Sequence, residues 1–331
     1  MRSSIGVTLL VCALVCGGLG VSAAPGDAAD GSRYPARAID LIVPQAAGGA
    51  GDTWVRIVIP YVSKKWGVPI NIVNRPGGSS VPGVMSVLTA SPDGYTMLYD
   101  GAVTPSQTAV MANSPFKWDD PVPIAKMVNA PLAFAVKADS PWKTLKEALD
   151  GVRKDPGAVK CGVGGAAAPG VFGLAKLFDA AGIDPRRPAR VIFGGSTPTM
   201  AALAGGHVTL TSQPLPDSVA LTQAGKIRVL AVSSSKRSAA LPDVPTGAEA
   251  GFPAYDLGTW GGISGPQKLP SAVIAAWADA LKEALQNPEV VEKLAARQTF
   301  PDFMGPADHK KFLEGEYKLK LQIAENLGLR K

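Results

Sequence analysis

The chain has 331 residues, 46 % of them hydrophobic, and carries a formal net charge of +6 at pH 7. A chain of this length exceeds the usual size of a single hydrophobic core, so its composition predicts two domains. The positive charge is mild, and the sequence contains no dense run of lysine and arginine with interleaved aromatic residues. These features argue against binding to nucleic acid or to a membrane surface, and they suit a small anionic ligand.

The N-terminus has the pattern of a secretory signal peptide. Arg2 precedes an apolar run over residues 5–21, and small residues follow that run. We therefore predict a signal peptide over residues 1–23 and export to the periplasm. Cleavage there leaves a net charge of +5, because 32 basic and 27 acidic residues remain. Cleavage also removes two of the three cysteines, so we expect the third, Cys161, to be a small buried strand residue without a disulfide.

The first predicted strand and the loop after it form the most distinctive stretch of the mature chain. Residues 39–43 are apolar apart from Asp40, which is typical of a short buried strand. Gly48, Gly49 and Gly51 then allow a tight turn and a close approach of a ligand to the backbone. A helix follows, and its first N–H groups have no partner within the helix. Together with the helix dipole, these groups predict a cradle for a small anion, and we expect a carboxylate.

Two nucleotide-binding motifs are excluded at this loop. A P-loop ends in Gly-Lys-Ser or Gly-Lys-Thr, whereas this loop ends in Gly51-Asp52-Thr53. A dinucleotide fingerprint requires a third glycine where Trp54 stands. A plainer alternative stays open, in which Asp52 caps the helix and the glycines form an ordinary turn. Asp52 can also serve both purposes by positioning the N–H groups of the loop.

The rest of the chain alternates between strand-like and helix-like segments, which is typical of parallel sheets covered by helices. Further strands are predicted at residues 69–73, 95–99, 124–128, 132–136, 159–163, 190–193, 208–212 and 227–232. Helices are predicted to end near residues 66, 90, 181, 204 and 224. Another is predicted to begin at the capping box of residues 144–147, and others to cover about 270–286, 288–297 and 306–326. We place two interdomain crossings, near residues 113–131 and 233–253. The predicted lobe 1 comprises residues 33–130 and 253–331, and lobe 2 comprises residues 131–252.

Several short phrases, in order along nearly the whole mature chain, carry a resemblance to a known family. They are Tyr34-Pro35, Ile42-Val43-Pro44, Val73-Asn74-Arg75-Pro76-Gly77, Ser91-Pro92-Asp93-Gly94-Tyr95-Thr96 and, as the most specific, the segment 236–251. In this combination the chain resembles the extracytoplasmic solute-binding proteins of tripartite tricarboxylate transporters, the TctC or Bug family.

The resemblance implies an α/β periplasmic-binding-protein fold of type II-like architecture, with two doubly wound lobes, a ligand cleft and two interdomain crossings. It implies that the lobes close like a clamshell on one small ligand, whose carboxylate is held by loop N–H groups and bridging water. The matching ligand-binding positions are Ala46, Ala47, Gly48, Gly49 and Asp52 in lobe 1, and Gly164, Gly165, Ala166, Gly195, Ser196 and Thr197 in lobe 2.

Other residues refine this prediction of the site. Thr104, in a predicted loop after the strand 95–99, is a further ligand-binding candidate. Gln45 stands where members of the family often have an aromatic residue, and the loops of lobe 2 carry fewer polar side chains than is usual there. These departures lie where the distal part of a ligand would be, so they predict few charged groups beyond the anchoring carboxylate.

Catalytic and metal chemistry has little support in the sequence. His207 and His309 are the only histidines, and we expect both in loops or at the surface. The sequence lacks a Gly-x-Ser-x-Gly elbow and the Cys-x-x-Cys and His-x-x-x-His spacings of zinc sites. We therefore predict no enzymatic activity, no cofactor and no metal.

The predicted function is that of a monomeric receptor that captures a small carboxylate and delivers it to the permease subunits of a tripartite tricarboxylate-type transporter. A ligand sensor for a membrane kinase remains an alternative. A secreted α/β hydrolase is a weaker one, because a nucleophile paired with a base is missing.

Overall fold

Ten strands and ten helices follow one another along the part of the chain that the computed structural model describes, residues 34–77 and 80–330. The strands are β1 (Ile39–Val43), β2 (Ile70–Asn74), β3 (Thr96–Gly101), β4 (Val122–Lys137), β5 (Lys160–Val163), β6 (Ala189–Ile192), β7 (Leu210–Pro214), β8 (Ile227–Val232), β9 (Gly258–Gly265) and β10 (Phe300–Met304). The helices are α1 (Ala50–Trp66), α2 (Val81–Leu88), α3 (Val103–Val110), α4 (Leu145–Lys154), α5 (Pro169–Ala180), α6 (Ser196–Ala204), α7 (Leu215–Gln223), α8 (Ser271–Ala284), α9 (Pro288–Ala295) and α10 (Pro306–Asn326). The predicted signal peptide lies outside the described residues.

The strands are hydrogen-bonded in the order β2-β1-β3-β9-β4-β7-β5-β6, and β8 and β10 also pair with β4. Strand β1 is parallel to β2 and β3, and β5 is parallel to β6 and β7. Strand β9 is antiparallel to both β3 and β4. The arrangement therefore contains two sets of parallel strands, joined through β9 and β4.

Strand β4 runs beside both sets of parallel strands and is antiparallel to each of its own partners. Its residues 122–131 pair with β9, and its residues 132–137 pair with β7 and β8. The sequence predicted two strands with a break at residues 129–131, and that prediction is wrong. Pro131 stands where β4 changes partners, and such irregular positions are where strands accept a residue without an N–H group. The next N–H group, that of Leu132, donates to the Ser233 hydroxyl at 2.8 Å.

Separate hydrophobic cores cover the two sets of strands. Trp54, Met97 and Trp277 are buried in the core between β1, β3 and the helices α1 and α8. Phe134 and Phe172 belong to another core, against β5 and α5. The boundaries of the two lobes, at residues 130 and 253, stay a prediction.

Three elements of the structure are absent from the sequence prediction: α3, β9 and β10. Helix α3 places Thr104 in a helix, whereas the sequence predicted a loop. The prediction for His309 is also wrong, because this residue is fully buried in the first turns of α10. His207 is exposed, as expected, and Cys161 is a buried free cysteine on β5.

Within the described ranges, no helix has an apolar stretch long enough to cross a membrane. The same residues contain no group of three histidine, cysteine or acidic side chains placed to hold a metal ion.

Candidate functional site

The predicted site residues lie on two rims, at the carboxyl ends of the two sets of parallel strands. We define the first rim as residues 44–53 and 101–106, at and after the ends of β1 and β3. The second rim consists of residues 164–172, 193–199 and 213–218, at and after the ends of β5, β6 and β7. Crevices beyond the carboxyl ends of parallel strands are the usual place for ligands in open α/β sheets.

Asp52 organises the first rim. Its carboxylate is 3 % exposed and accepts three hydrogen bonds, each of 2.9 Å, from the Gly48 N–H, the Arg56 Nε and the Asn74 Nδ2. Asn74 Nδ2 also donates to the Gln45 carbonyl at 3.1 Å. The side chains of Asp52 and Asn74 thus hold the loop after β1 at two points, Gly48 and Gln45.

Asp52 does not cap helix α1. The N-cap residue is Gly49, which has no side chain to accept from the first N–H groups of the helix. Of the two roles left open by the sequence, the structure shows the positioning of the loop. Burial by itself raises the pKa of Asp52, but hydrogen bonds from Arg56, Gly48 and Asn74 outweigh it and lower the pKa below its usual value. Asp52 is therefore charged at neutral pH.

The backbone at the start of α1 is accessible. Ala46, Ala47 and Gly48 are exposed, and Gly48 has a φ of +80°, which favours glycine. Gly51 is required by close packing, because a Cβ there would lie 2.4 Å from Tyr99 Cε1 and 2.6 Å from Gln45 Oε1. The first N–H groups of α1 are consequently presented beside an exposed turn, next to the carboxamide of Gln45.

Buried Asp100 supports the second segment of the first rim, residues 101–106. Asp100 is 1 % exposed and accepts hydrogen bonds from the Gly101 N–H (2.8 Å) and the Ser264 hydroxyl (2.9 Å). Burial raises the pKa of Asp100, and hydrogen bonds from Thr104 and Ser264 oppose that shift. Thr104 is itself buried, with its hydroxyl near the carboxylate of Asp100. Its predicted contact with a ligand stays a prediction.

Two loops of the second rim contact each other. A Cβ on Gly164 would lie 2.9 Å from the carbonyl carbon of Gly195 and 3.1 Å from the Ser196 nitrogen. Gly165 and Gly195 have φ values of +141° and +147°, where other residues are strained. Ser196 opens helix α6, and its buried hydroxyl has no hydrogen-bond partner among the described residues. The structure thus brings Gly164, Gly195 and Ser196 together.

Among the residues that support the first rim, sequence reasoning missed Arg56 and Asn74. Arg56 stands four positions after Asp52, a spacing at which helical side chains meet, so its pairing was open to prediction. Asn74 stands in the phrase 73–77, but its contacts with Asp52 and Gln45 bring together segments about 20 to 30 positions apart, which periodicity does not reveal.

Comparisons with known proteins identify the family of the chain. The model of a family described as "Tripartite tricarboxylate transporter family receptor", TctC, matches residues 55–329. Protein BugT from Bordetella pertussis is 28 % identical over 300 residues, which cover 89 % of this chain and 90 % of BugT.

Solved structures resemble the chain over most of its length. R. palustris Rpa4515 with adipate is 27 % identical, with a TM-score of 0.80 over 89 % of this chain and 98 % of that one. A TctC solute-binding protein from Polaromonas is 25 % identical, with a TM-score of 0.72 over 89 % of this chain and 100 % of that one. The predicted periplasmic-binding-protein fold is thereby confirmed.

Proposed function

Because the chain belongs to the tripartite tricarboxylate transporter receptor family, we propose that it is a monomeric periplasmic receptor that captures a small carboxylate and delivers it to a membrane permease. The observation that carries this proposal is the loop tied to Asp52 at the uncapped start of helix α1. Receptor function requires binding without turnover, so the proposal excludes an enzymatic role.

The first rim suits a carboxylate for electrostatic reasons. Helix α1 offers N–H groups without intrahelical partners, and its dipole places partial positive charge at the same point. The negative charge of Asp52 is compensated at 2.9 Å by Arg56 and lies below the loop, so it holds the cradle in shape with little repulsion of the ligand. An anion bound there replaces water with donors that are already oriented.

The proposed ligand contacts come from both rims. They are Ala46, Ala47, Gly48, Gly49 and Asp52 with Thr104 on the first rim, and Gly164, Gly165, Ala166, Gly195, Ser196 and Thr197 on the second. A ligand that contacts both rims has higher affinity for a closed conformation, so it shifts the population toward closure. The relative from R. palustris that carries adipate supports a carboxylate as the ligand.

A thermal-shift screen of the mature chain tests the ligand class. The panel contains mono-, di- and tricarboxylates, aromatic acids, amino acids, sugars and nucleotides. A carboxylate present at a hundred times its Kd should stabilise the chain by about 2.7 kcal/mol. A shift confined to sugars or nucleotides, or a panel without any carboxylate shift, would contradict the proposal.

Calorimetry with the best carboxylate then tests the site. Asp52→Ala should weaken binding at least about tenfold, because the loop loses the acceptor that fixes Gly48. Asp40→Ala serves as the matched control, since Asp40 is exposed on the neighbouring strand β1 and lies outside both rims. Equal affinities of the two variants would remove the Asp52 loop from the site. Product analysis of the incubated ligand tests for turnover, and any conversion would refute the receptor role.

Delivery to a permease is tested in cells. Deletion of this chain should abolish uptake of the labelled carboxylate, and the wild-type chain should restore uptake whereas Asp52→Ala should not. Unchanged uptake after deletion would favour a sensor over a transport receptor.

A further inference from the structure

The second rim contains a single ionisable side chain. Residues 164–172, 193–199 and 213–218 include no lysine, arginine, histidine or glutamate, and Asp217 is their only acidic residue. The first rim holds N–H donors and an acid already paired with Arg56. A ligand anchored by one carboxylate on the first rim would therefore face a rim that has no cation and one carboxylate.

Asp217 lies where it can act on a ligand. It stands in the first turn of α7, directly after β7, and β7 is parallel to β5, whose following loop carries Gly164. Asp217 is not the N-cap of this helix, since that position is held by Pro214. Asp217 is exposed to solvent, so its carboxylate is accessible to a ligand.

The neighbouring helix contributes a polar group to the same part of the rim. Helices α6 and α7 are in contact, and the buried Ser196 hydroxyl in the first turn of α6 has no hydrogen-bond partner in the structure. Surrounding atoms partly desolvate the carboxyl group and so raise the pKa of Asp217, while the Ser196 hydroxyl opposes that rise by its proximity, without forming a hydrogen bond. Ser196 and Asp217 thus form one polar corner that can hold a hydroxyl or ammonium group.

We infer that Asp217 is a specificity-determining residue that excludes ligands with a second carboxylate at their distal end. The inference rests on the proposed function and narrows its ligand class to monocarboxylates whose distal end is neutral or cationic. A dicarboxylate would lose the hydration of its second charge without gaining a cation, and it would also be repelled by Asp217. An ω-amino monocarboxylate would place its ammonium group beside an anion.

Three ligands of equal chain length test this inference: a monocarboxylate, its ω-amino derivative and the corresponding dicarboxylate. Their common length is the one that gives the largest thermal shift. Calorimetry on the wild-type chain should show the dicarboxylate binding at least about tenfold more weakly than the monocarboxylate, a difference of about 1.4 kcal/mol. Asp217→Asn should remove most of that difference and should weaken binding of the ω-amino ligand. Asp179→Asn is the matched control, because Asp179 is an exposed acid at the far end of α5.

The outcomes separate this inference from the proposed function. If the wild-type chain binds no carboxylate, the proposed function fails and the inference falls with it. If carboxylates bind but the dicarboxylate is preferred, or if Asp217→Asn leaves the ratio of affinities unchanged, only the inference is overturned. An equal effect of Asp179→Asn would also overturn it, because the discrimination would then reflect net charge alone.

Discussion

The Asp52 carboxylate is buried and accepts hydrogen bonds from three donors on three different segments. Asp52→Asn keeps the shape of the side chain but removes the charge and presents an amide group to donors. We expect the free energy of unfolding at pH 7 to fall by about 2 kcal/mol, since hydrogen bonds to charged groups contribute more than neutral ones. Urea unfolding measures the loss, and Asp40→Asn, at an exposed position, should change stability by less than about 0.5 kcal/mol.

The pH dependence of this difference follows from the lowered pKa of Asp52. A carboxyl group whose pKa is lower in the folded state stabilises the fold above its unfolded pKa, about 3.9. That contribution is lost as the pH falls through the folded value. The stability gap between the wild type and Asp52→Asn should therefore persist from neutral pH to about pH 4 and shrink below it. A gap that stays constant into strong acid would contradict the assigned hydrogen bonds.

His309 is a buried imidazole whose surroundings, unlike those of Asp52, disfavour the charged form of the side chain. Neither ring nitrogen has a hydrogen-bond partner, and the ring lies 5.5 Å from that of Trp260, between centroids. Desolvation by burial, with the nearby charge of Lys126, lowers the pKa of His309 to about 3. The unfolded chain therefore binds a proton here between about pH 6.5 and pH 3 that the folded chain does not bind.

Acidification should consequently destabilise the protein through His309. Between pH 7 and pH 5 this one group should cost about 2 kcal/mol of the free energy of unfolding. His309→Leu should remove that part of the pH dependence with little loss of stability at pH 7, because no hydrogen bond is broken. Urea unfolding at pH 7 and pH 5 measures this change in the free energy of unfolding. His207→Gln, at an exposed position, is the control. The same slope in wild type and His309→Leu would show that the imidazole is already protonated in the fold.

At the scale of elements, helix α10 connects the two sets of strands through a buried ion pair. Lys320 Nζ lies 2.6 Å from Glu316 Oε2, donates to the Ala102 carbonyl at 3.1 Å, and sits 5.8 Å from the ring centroid of Phe172 on α5. Burial raises the pKa of Glu316, but the charge of Lys320 lowers it below the usual value. Ala102 directly precedes α3, so the pair also supports the first rim.

Lys320→Met should leave Glu316 buried with only the indole N–H of Trp260, at 3.1 Å. Loss of one partner of such a pair typically costs about 3–5 kcal/mol. The double variant Lys320→Met with Glu316→Gln should be more stable than the single variant, because no unpaired charge remains. The exposed pair Lys318 and Glu314 on the same helix gives the control, and Lys318→Met should cost less than about 0.5 kcal/mol. Equal losses from the two lysine variants in urea unfolding would contradict this account.

Elements with strong periodicity or clear end signals could be predicted from the sequence. Strand β1 and helix α10 occur at the predicted residues, and Gly67 ends α1 in the left-handed conformation. Strand β9 could not be predicted, because four of its eight residues are glycine, which local propensity disfavours in strands. Glycine is required in β9 by close packing against other segments. A Cβ on Gly262, for example, would lie 2.4 Å from the Ala125 carbonyl oxygen.

The site shows the same division between local and tertiary information. The turn at Gly48 and the role of Asp52 follow from residues within one loop and one helical turn, where sequence patterns are informative. The support from Asn74 and the burial of Thr104 depend on contacts between separate segments. Local spacing carries no signal for such contacts, so the sequence could predict the loop of the candidate site but not the residues that support it.

At the scale of the whole molecule, the proposed closure depends on how the chain passes between the two sets of strands. Pro131 on β4 pairs with Gly258 on β9 at the point where β4 changes partners. Gly258 is tightly enclosed, since a Cβ there would lie 2.7 Å from Asn129 Oδ1 and 2.9 Å from the Ala130 carbonyl oxygen. The second of these contacts is with backbone, so a methyl group cannot be accommodated by a change of side-chain rotamer alone.

Gly258→Ala should therefore push β9 away from β4 at this crossing and cost about 1–3 kcal/mol of stability. Because both rims depend on the same crossing, we expect the variant to weaken binding of the carboxylate found in the thermal-shift screen. Gly315→Ala is the control, and it should change the free energy of unfolding in the opposite direction. Gly315 is in the middle of α10, with nothing within 4 Å of its Cβ position. Alanine there should stabilise the chain by up to about 1 kcal/mol. That variant should leave affinity unchanged. If Gly258→Ala lowers stability but binds the carboxylate as tightly as the wild type, the crossing holds the fold without governing closure, and the hinge must lie elsewhere.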